Sequence, residues 1–279
     1  MRTNNVQFQW GSRTYIMGII NVTDDSFSGD GIAFDLSAIE KQAKKFVKNG
    51  ADIIDIGGES TRPASVYGAV KSVSIQEELN RVIPAIRLIN QKTDIPISID
   101  SKNTAVIKEA TKNGASIIND VSMLKHDPNM INLVCKLNLP YILVHNIPIP
   151  SGTNALQQIK IDLLKSIDEL LKSGLDKHNI IIDPGIGFNK NTQQNIEIIN
   201  QLHLLKIGYP ILIGTSRKKH IGDILDSKTA NRTEGTAATT SIAIDRGADI
   251  IRVHDVKEMV KVAKMTDAIV REKLTNKNV

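Results

Sequence analysis

A set of polar side chains in this chain stands directly behind, or at the end of, short apolar runs. Asn21 follows YIMGII, Asp55 lies in DIIDIGG, Asp100 follows PISI, Asn119 follows SII, His145 follows PYILV and Asp183 follows NIII. Ser216 and Lys218 come after PILIG, and Arg252 and His254 close DIIRVH. If those runs are buried strands of one sheet, the polar groups gather at one end of it, where each is expensive to leave unpaired. Asp100, Asn119, Asp183 and Lys218 then offer two carboxylates, an amide and an ammonium to a flat heterocycle with an amidine-like pair of N–H donors and a carbonyl. Arg252 and His254, with Asn21 and the loop around Thr61 and Arg62, form a cationic collar fit for a phosphate or diphosphate. The neutral Asn21 is an oxygen ligand for a Mg²⁺ ion that bridges phosphate oxygens. Ser216, His145 and His254 together raise the alternative of nucleophilic catalysis, but no GxSxG elbow accompanies them. Zinc on His145 and His254 lacks both HExxH spacing and a cysteine cluster.

The elements that must position these groups announce themselves by repetition. Asn49-Gly50-Ala51-Asp52-Ile53-Ile54 is echoed by Asn113-Gly114-Ala115-Ser116-Ile117-Ile118 and by Arg246-Gly247-Ala248-Asp249-Ile250-Ile251. The three glycines recur at multiples of about 33 residues, the length of one strand, one helix and two loops. Each follows a helical stretch that it can stop in the left-handed conformation, and each Ile-Ile pair opens the next strand. About eight such units fit the chain, so the spacing predicts an α/β fold, a (β/α)₈ TIM barrel forming one domain over residues 1–279. An open doubly wound sheet is the alternative. Strands are expected over 15–20, 52–57, 96–100, 116–119, 140–145, 179–183, 210–214 and 249–253. Helices are expected over 35–49, begun by Asp35 or Ser37, over 75–90 and over 154–173. An N-terminal β-hairpin over 6–15, turning near Gly11-Ser12, would cap one end of the barrel.

Composition closes off other classes. With 41% apolar and 23% charged residues the chain has the makeup of a globular protein with a large core. The N-terminal stretch lacks an apolar signal core, and no apolar run approaches the roughly 18 residues of a membrane span, so a cytoplasmic protein is expected. Cys135 is the single cysteine, which excludes an internal disulfide and a cysteine metal site. A formal charge of +5 with 4% aromatics, and no interleaving of the two, argues against nucleic acid. Arg62, Arg217 and Arg252 at strand ends suggest instead three guanidinium groups converging on a small anion.

Seven ordered motifs then resemble one family over nearly the whole length. They are GIINVTDDSFS at 18–28, DIGGESTRP at 55–63, SIDS at 98–101, IINDV at 117–121, DPGIGF at 183–188, GTSRK at 214–218 and IIRVHDV at 250–256. The family is dihydropteroate synthase. The resemblance implies condensation of 4-aminobenzoate with 6-hydroxymethyl-7,8-dihydropterin diphosphate, with Mg²⁺ as cofactor and a homodimer as the assembly. It implies that Asp100, Asn119, Asp183 and Lys218 hold the pterin, that Thr61, Arg252 and His254 take the diphosphate, and that Asn21 binds the metal. Asn21, Lys218, Arg252 and His254 would act in catalysis, and Arg62, Pro63, Phe188 and Ser216 would shape the aminobenzoate pocket. Two departures fall in loops: Asp24 stands where the family has proline, and the connection Ala64–Ser72 is long. A pterin-binding methyltransferase barrel is a rival that would not need the Thr61-Arg62 and Ser216–Lys218 loops. A barrel that binds pterin without turning it over is a second.

Overall fold

A computed structural model describes residues 1–3, 6–22, 35–59, 73–150 and 152–271. Eight parallel strands occur in it: β3 Tyr15–Asn21, β4 Ile53–Gly57, β5 Ile97–Asp100, β6 Ala115–Asp120, β7 Tyr141–Val144, β8 Ile180–Asp183, β9 Leu212–Ile213 and β10 Ile250–Val253. Their order is β8-β7-β6-β5-β4-β3-β10-β9, and a parallel bridge between Ile182 and Ile211 joins the two edges. The sheet therefore closes, and the expected barrel is the observed one.

Helices alternate with the strands: α1 Leu36–Lys48, α2 Ile75–Lys92, α3 Thr104–Lys112, α4 Met130–Leu137, α5 Ala155–Lys172, α6 Thr192–Asn200, α7 Lys219–Leu225, α8 Thr233–Asp245 and α9 Val256–Val270. The spacing did not announce α7, a short insertion between β9 and α8. Asp35 is the N-cap of α1, accepting from the backbone N–H groups of Ser37 and Ala38. Ser74 and Glu77 make a reciprocal capping box at the start of α2. Gly50 and Gly247 stop α1 and α8 at φ of +92° and +102°. At both, the residue after the glycine donates back across the last turn, Ala51 to Phe46 O and Ala248 to Ala243 O, a Schellman closure.

Strand parity sorts the core into two layers. Ile54, Ile56, Ile97, Ile99, Ile118, Leu143, Ile180, Ile182, Ile251 and Val253 pack outward against the helices. Tyr15, Met17, Ile53, Ile117, Ile142, Ile181, Leu212 and Ile250 fill the barrel interior. Because side chains alternate along a strand, residues at positions matching the second set face the lumen.

The N-terminal segment does cover the lower end of the interior, through Phe8, which packs in the inner layer beside Tyr15 with ring centroids 4.8 Å apart. Its hairpin differs from expectation. Strands β1 Arg2–Thr3 and β2 Val6–Gln7 pair in register Arg2↔Gln7 and Thr3↔Val6, while Gly11-Ser12 forms a turn without strand pairing. The chain beyond that turn is pulled onto the barrel floor, Arg13 by Asp52 and Thr14 by Asp267, and so cannot return along β2.

Candidate active site

Parity delivers the site. On β4, Ile53 faces the lumen, so Asp55 does too; the same step takes Ser98 to Asp100, Ile117 to Asn119, Ile181 to Asp183 and Ile250 to Arg252. These side chains form a polar layer stacked directly on the apolar one. Arg252 donates through Nε to Asp55 Oδ2 at 2.6 Å and through Nη2 to Asp100 Oδ2 at 2.7 Å. Asn119 Nδ2 lies 3.3 and 3.4 Å from the two Asp55 oxygens. Asn21 closes the layer on β3, its Oδ1 3.7 Å from where a Cβ on Gly57 would stand, beside Asp100.

Two buried atoms in this layer, Asp100 Oδ1 and Asn119 Oδ1, and Ser98 Oγ one step below it remain without a hydrogen-bond partner among the described residues. The first two are acceptors, so what they lack is an N–H edge. Burial pushes the Asp100 carboxyl up to about 7, against the pull of Arg252 and with the Asp55 carboxylate adding to the rise. Donors from a ligand would favour its charged form. Burial also raises Asp183, here against the Lys218 ammonium and the hydrogen bond from Gly185 N at 2.7 Å.

Lys218 supplies the largest complementary charge to Asp183, ahead of Arg252 and Lys190. Burial draws Lys218 down to about 8, with Asp183 opposing. Its Nζ donates to Ile186 O and lies 4.8 Å from the centroid of the Phe188 ring. Ser216 Oγ and His254 Nδ1 are 3.0 Å apart, which joins the ends of the β9 and β10 loops.

The family model for pterin binding enzymes matches residues 17–254. A dihydropteroate synthase of Clostridium beijerinckii is 46% identical over 97% of this chain and 100% of its own length. The chain belongs to the dihydropteroate synthase family. A dihydropteroate synthase of Clostridium difficile, solved in the presence of pteroic acid, superposes with TM-score 0.90 at 46% identity, covering 95% of this chain and all of that one. One of Xanthomonas albilineans, solved with 4-aminobenzoic acid, superposes with TM-score 0.87 at 35% identity over 93% of this chain and 94% of that one.

The structure gathers Asn21, Asp100, Asn119, Asp183, Phe188, Ser216, Lys218, Arg252 and His254 at the C-terminal end of the barrel. Thr61, Arg62, Pro63, Asp24 and the Ala64–Ser72 connection lie outside the described residues. Two expectations change. Arg217 does not join an anion collar, because it forms two hydrogen bonds with the Asp255 carboxylate, at 3.0 Å from Nε and a second from Nη2. His145 is not at the mouth: it shares the parity of Tyr141 and Leu143, and so turns outward, fully buried, to Asp162 on α5 at 3.0 Å. Burial and Lys190 hold it down to about 4. Asp55, expected only as a strand-end carboxylate, is the hub that receives both Arg252 and Asn119, and its parity with Ile53 is the signal for it. Among the described residues no three His, Cys, Asp or Glu side chains gather as a metal site.

Proposed function

We propose that this mouth joins 4-aminobenzoate to 6-hydroxymethyl-7,8-dihydropterin diphosphate, giving 7,8-dihydropteroate and diphosphate, and that its residues divide the work as follows. Asp100, Asn119 and Asp183 receive the N–H edge of the pterin, and Lys218 donates to its carbonyl. The carrying observation is the pair of buried acceptors, Asp100 Oδ1 and Asn119 Oδ1, that have no partner among the described residues, with the Lys218 ammonium near enough for Asp100 and Asp183 to act on it. Arg252 and His254, with Thr61, take the diphosphate. Phe188 and Ser216, with Arg62 and Pro63, shape the aminobenzoate side.

No protein nucleophile is needed. The C–O bond to the diphosphate breaks with its electron pair, the arylamine nitrogen forms the new bond to the methylene carbon, and that nitrogen sheds one proton. The chain's contribution is to hold the two reactants in line and to stabilise developing charge: cations beside the leaving group, and carboxylates beside the electron-poor pterin. Asn21 would hold Mg²⁺ through its neutral carboxamide oxygen, which stands at the lumen edge and is the donor type this hard cation takes. When bound, that ion would neutralise diphosphate charge. We read residues 1–279 as one functional unit, working as a homodimer in the cytoplasm; no helix among the described residues is long and apolar enough to cross a membrane.

The test is diphosphate release on mixing the protein with pterin diphosphate, 4-aminobenzoate and Mg²⁺. Release that depends on all three is expected, with 7,8-dihydropteroate formed in equal amount. Pterin binding without release would overturn the proposal in favour of a non-catalytic barrel.

A further inference from the structure

Lys190 sits just past Phe188 and takes no part in the reaction as described, yet it is nearly buried and its ammonium is fully engaged. Nζ donates to Phe188 O at 3.0 Å, Gly185 O at 3.1 Å and His145 O at 3.2 Å, and lies 3.1 Å from His145 Nδ1. The opposite face of that imidazole meets Asp162 Oδ2, whose other oxygen takes Gln158 Nε2 at 3.0 Å. Burial draws the Lys190 ammonium down to about 7, with Lys218 adding to the fall and Asp183 and Asp162 opposing it. A partly buried cation that donates to three backbone carbonyls is a staple between segments.

The segments it joins are informative. One is the end of β7, through His145. The other is the loop from Pro184 to Phe188, which rests on that end so closely that a Cβ on Gly185, at φ +71°, would stand 1.8 Å from His145 O. The backbone of Asp183, at the foot of the loop, does not depend on the staple, because it lies in β8 and its carbonyl receives His145 N at 2.9 Å; only its carboxylate touches the stapled loop, through Gly185 N. Phe188 is not itself in a strand, although its ring packs on the inner-barrel cluster. Its backbone is held by its N–H to Gly185 O at 3.1 Å, by Gly187 N to Asn195 Oδ1 at 2.7 Å, and by Lys190.

We infer that Lys190 is a positioning residue for the aminobenzoate side of the site: by tying Phe188 O and Gly185 O to the end of β7 it helps to fix where the Phe188 ring stands, while Asp100, Asn119 and the backbone of Asp183 on the pterin side are fixed by the strands. The inference rests on the placement of Phe188 beside aminobenzoate proposed above.

Lys190→Met keeps the stem and removes the donors, and Lys190→Gln keeps a shorter donor. Phe188→Ala is the companion that tests the underlying assignment. In Lys190→Met the aminobenzoate KM should rise about tenfold or more, as expected for losing hydrogen bonds from a charged group. Lys190→Gln should fall between it and the parent. The Kd for pterin diphosphate, by calorimetric titration, should stay within about twofold, and this binding also reports that the barrel is folded. A raised aminobenzoate KM in Phe188→Ala with an unchanged one in Lys190→Met overturns the inference and leaves the site assignment standing. An unchanged KM in Phe188→Ala overturns the assignment and the inference with it. Loss of pterin binding in Lys190→Met also overturns the inference, since Lys190 would then support the whole end of β8.

Discussion

At the floor of the barrel, Asp52 accepts two hydrogen bonds from Arg13 at 2.5 and 3.0 Å and one from Ile16 N at 2.8 Å, and Asp267 accepts from Thr14 N, Thr14 Oγ1 and Arg271 Nε, each at 2.7 Å. At the mouth, Asp100 gives one oxygen to Arg252 and keeps the other without a partner among the described residues, and Asn119 does likewise with its carbonyl oxygen. The residue types are the same at both ends. What differs is completeness: the floor spends its acceptors on the protein, and the mouth reserves some for a ligand. Functional polar groups in a fold like this are recognised by the bonds they lack.

The widest break of this contrast is expected from Asp100→Asn or Asp183→Asn. Each removes a charged acceptor for the pterin edge, worth about 1.5–3 kcal/mol, or about 10- to 150-fold in Kd for pterin diphosphate by calorimetric titration. Thermal unfolding should change little, because Arg252 retains Asp55 in the first variant and β8 retains its backbone pairing in the second. Unfolding at much lower temperature, with parent-like affinity in the surviving fraction, would make these floor-type residues.

Much of this division is legible in the amino-acid sequence itself. The repeats point to the barrel, and the ends of the apolar runs point to Asp100, Asn119, Asp183 and Arg252, because a strand of fixed period leaves no choice of side. Parity carries further information of the same kind: it separates His145 from Val144 and places Asp55 in the lumen. Lys190 and the Arg217–Asp255 pair are not legible, since they depend on how loops fold back on the barrel, and loops have no period. The hairpin expected over 6–15 does not form for a related reason. Gly11-Ser12 is a fair turn, but the long-range partners Asp52 and Asp267 outweigh local pairing.

Asp52→Ala strips the floor in the converse way. It strands Ile16 N and frees Arg13, a loss of about 2 kcal/mol in denaturant unfolding, with both substrate KM values unchanged. The Arg13 share is modest, since its side chain is half exposed. A raised KM for either substrate would mean that the floor reaches the site.

His220 sharpens the rule that a missing bond marks function. It lies on α7, outside the lumen, buried, with neither ring nitrogen partnered among the described residues. Burial, with Lys218 and Arg232 nearby and Asp223 opposing, holds it down to about 4 from 6.5. A histidine depressed in the folded state contributes its stability above pH 6.5 and loses it as pH falls toward 4. At pH 5.5 the loss is about 1.4 kcal/mol. His220→Phe should remove that share of the acid sensitivity while His145 keeps its own, and pterin affinity should not move. Thermal melts from pH 7 to 4.5 check this. An equally steep acid dependence in the variant would show that His220 is not a source of it.

The smallest effect belongs to the floor's own exception. Ser116 occupies the repeat position held elsewhere by Asp52 and Asp249, whose carboxylates accept from Ile16 N and, at 3.0 Å, from Ile211 N on the neighbouring strands. In this copy the shorter side chain makes no such bond, and Ser116 Oγ is buried without a partner among the described residues. Removing an orphaned hydroxyl relieves its desolvation, so Ser116→Ala should leave stability unchanged or raise it by up to about 1 kcal/mol. Activity should be untouched, because the residue lies at the opposite end of β6 from Asn119. The sign decides the matter. A destabilised Ser116→Ala would mean that the hydroxyl is satisfied after all, and a lowered kcat would mean that an unmet polar group on the floor serves the reaction as those at the mouth do.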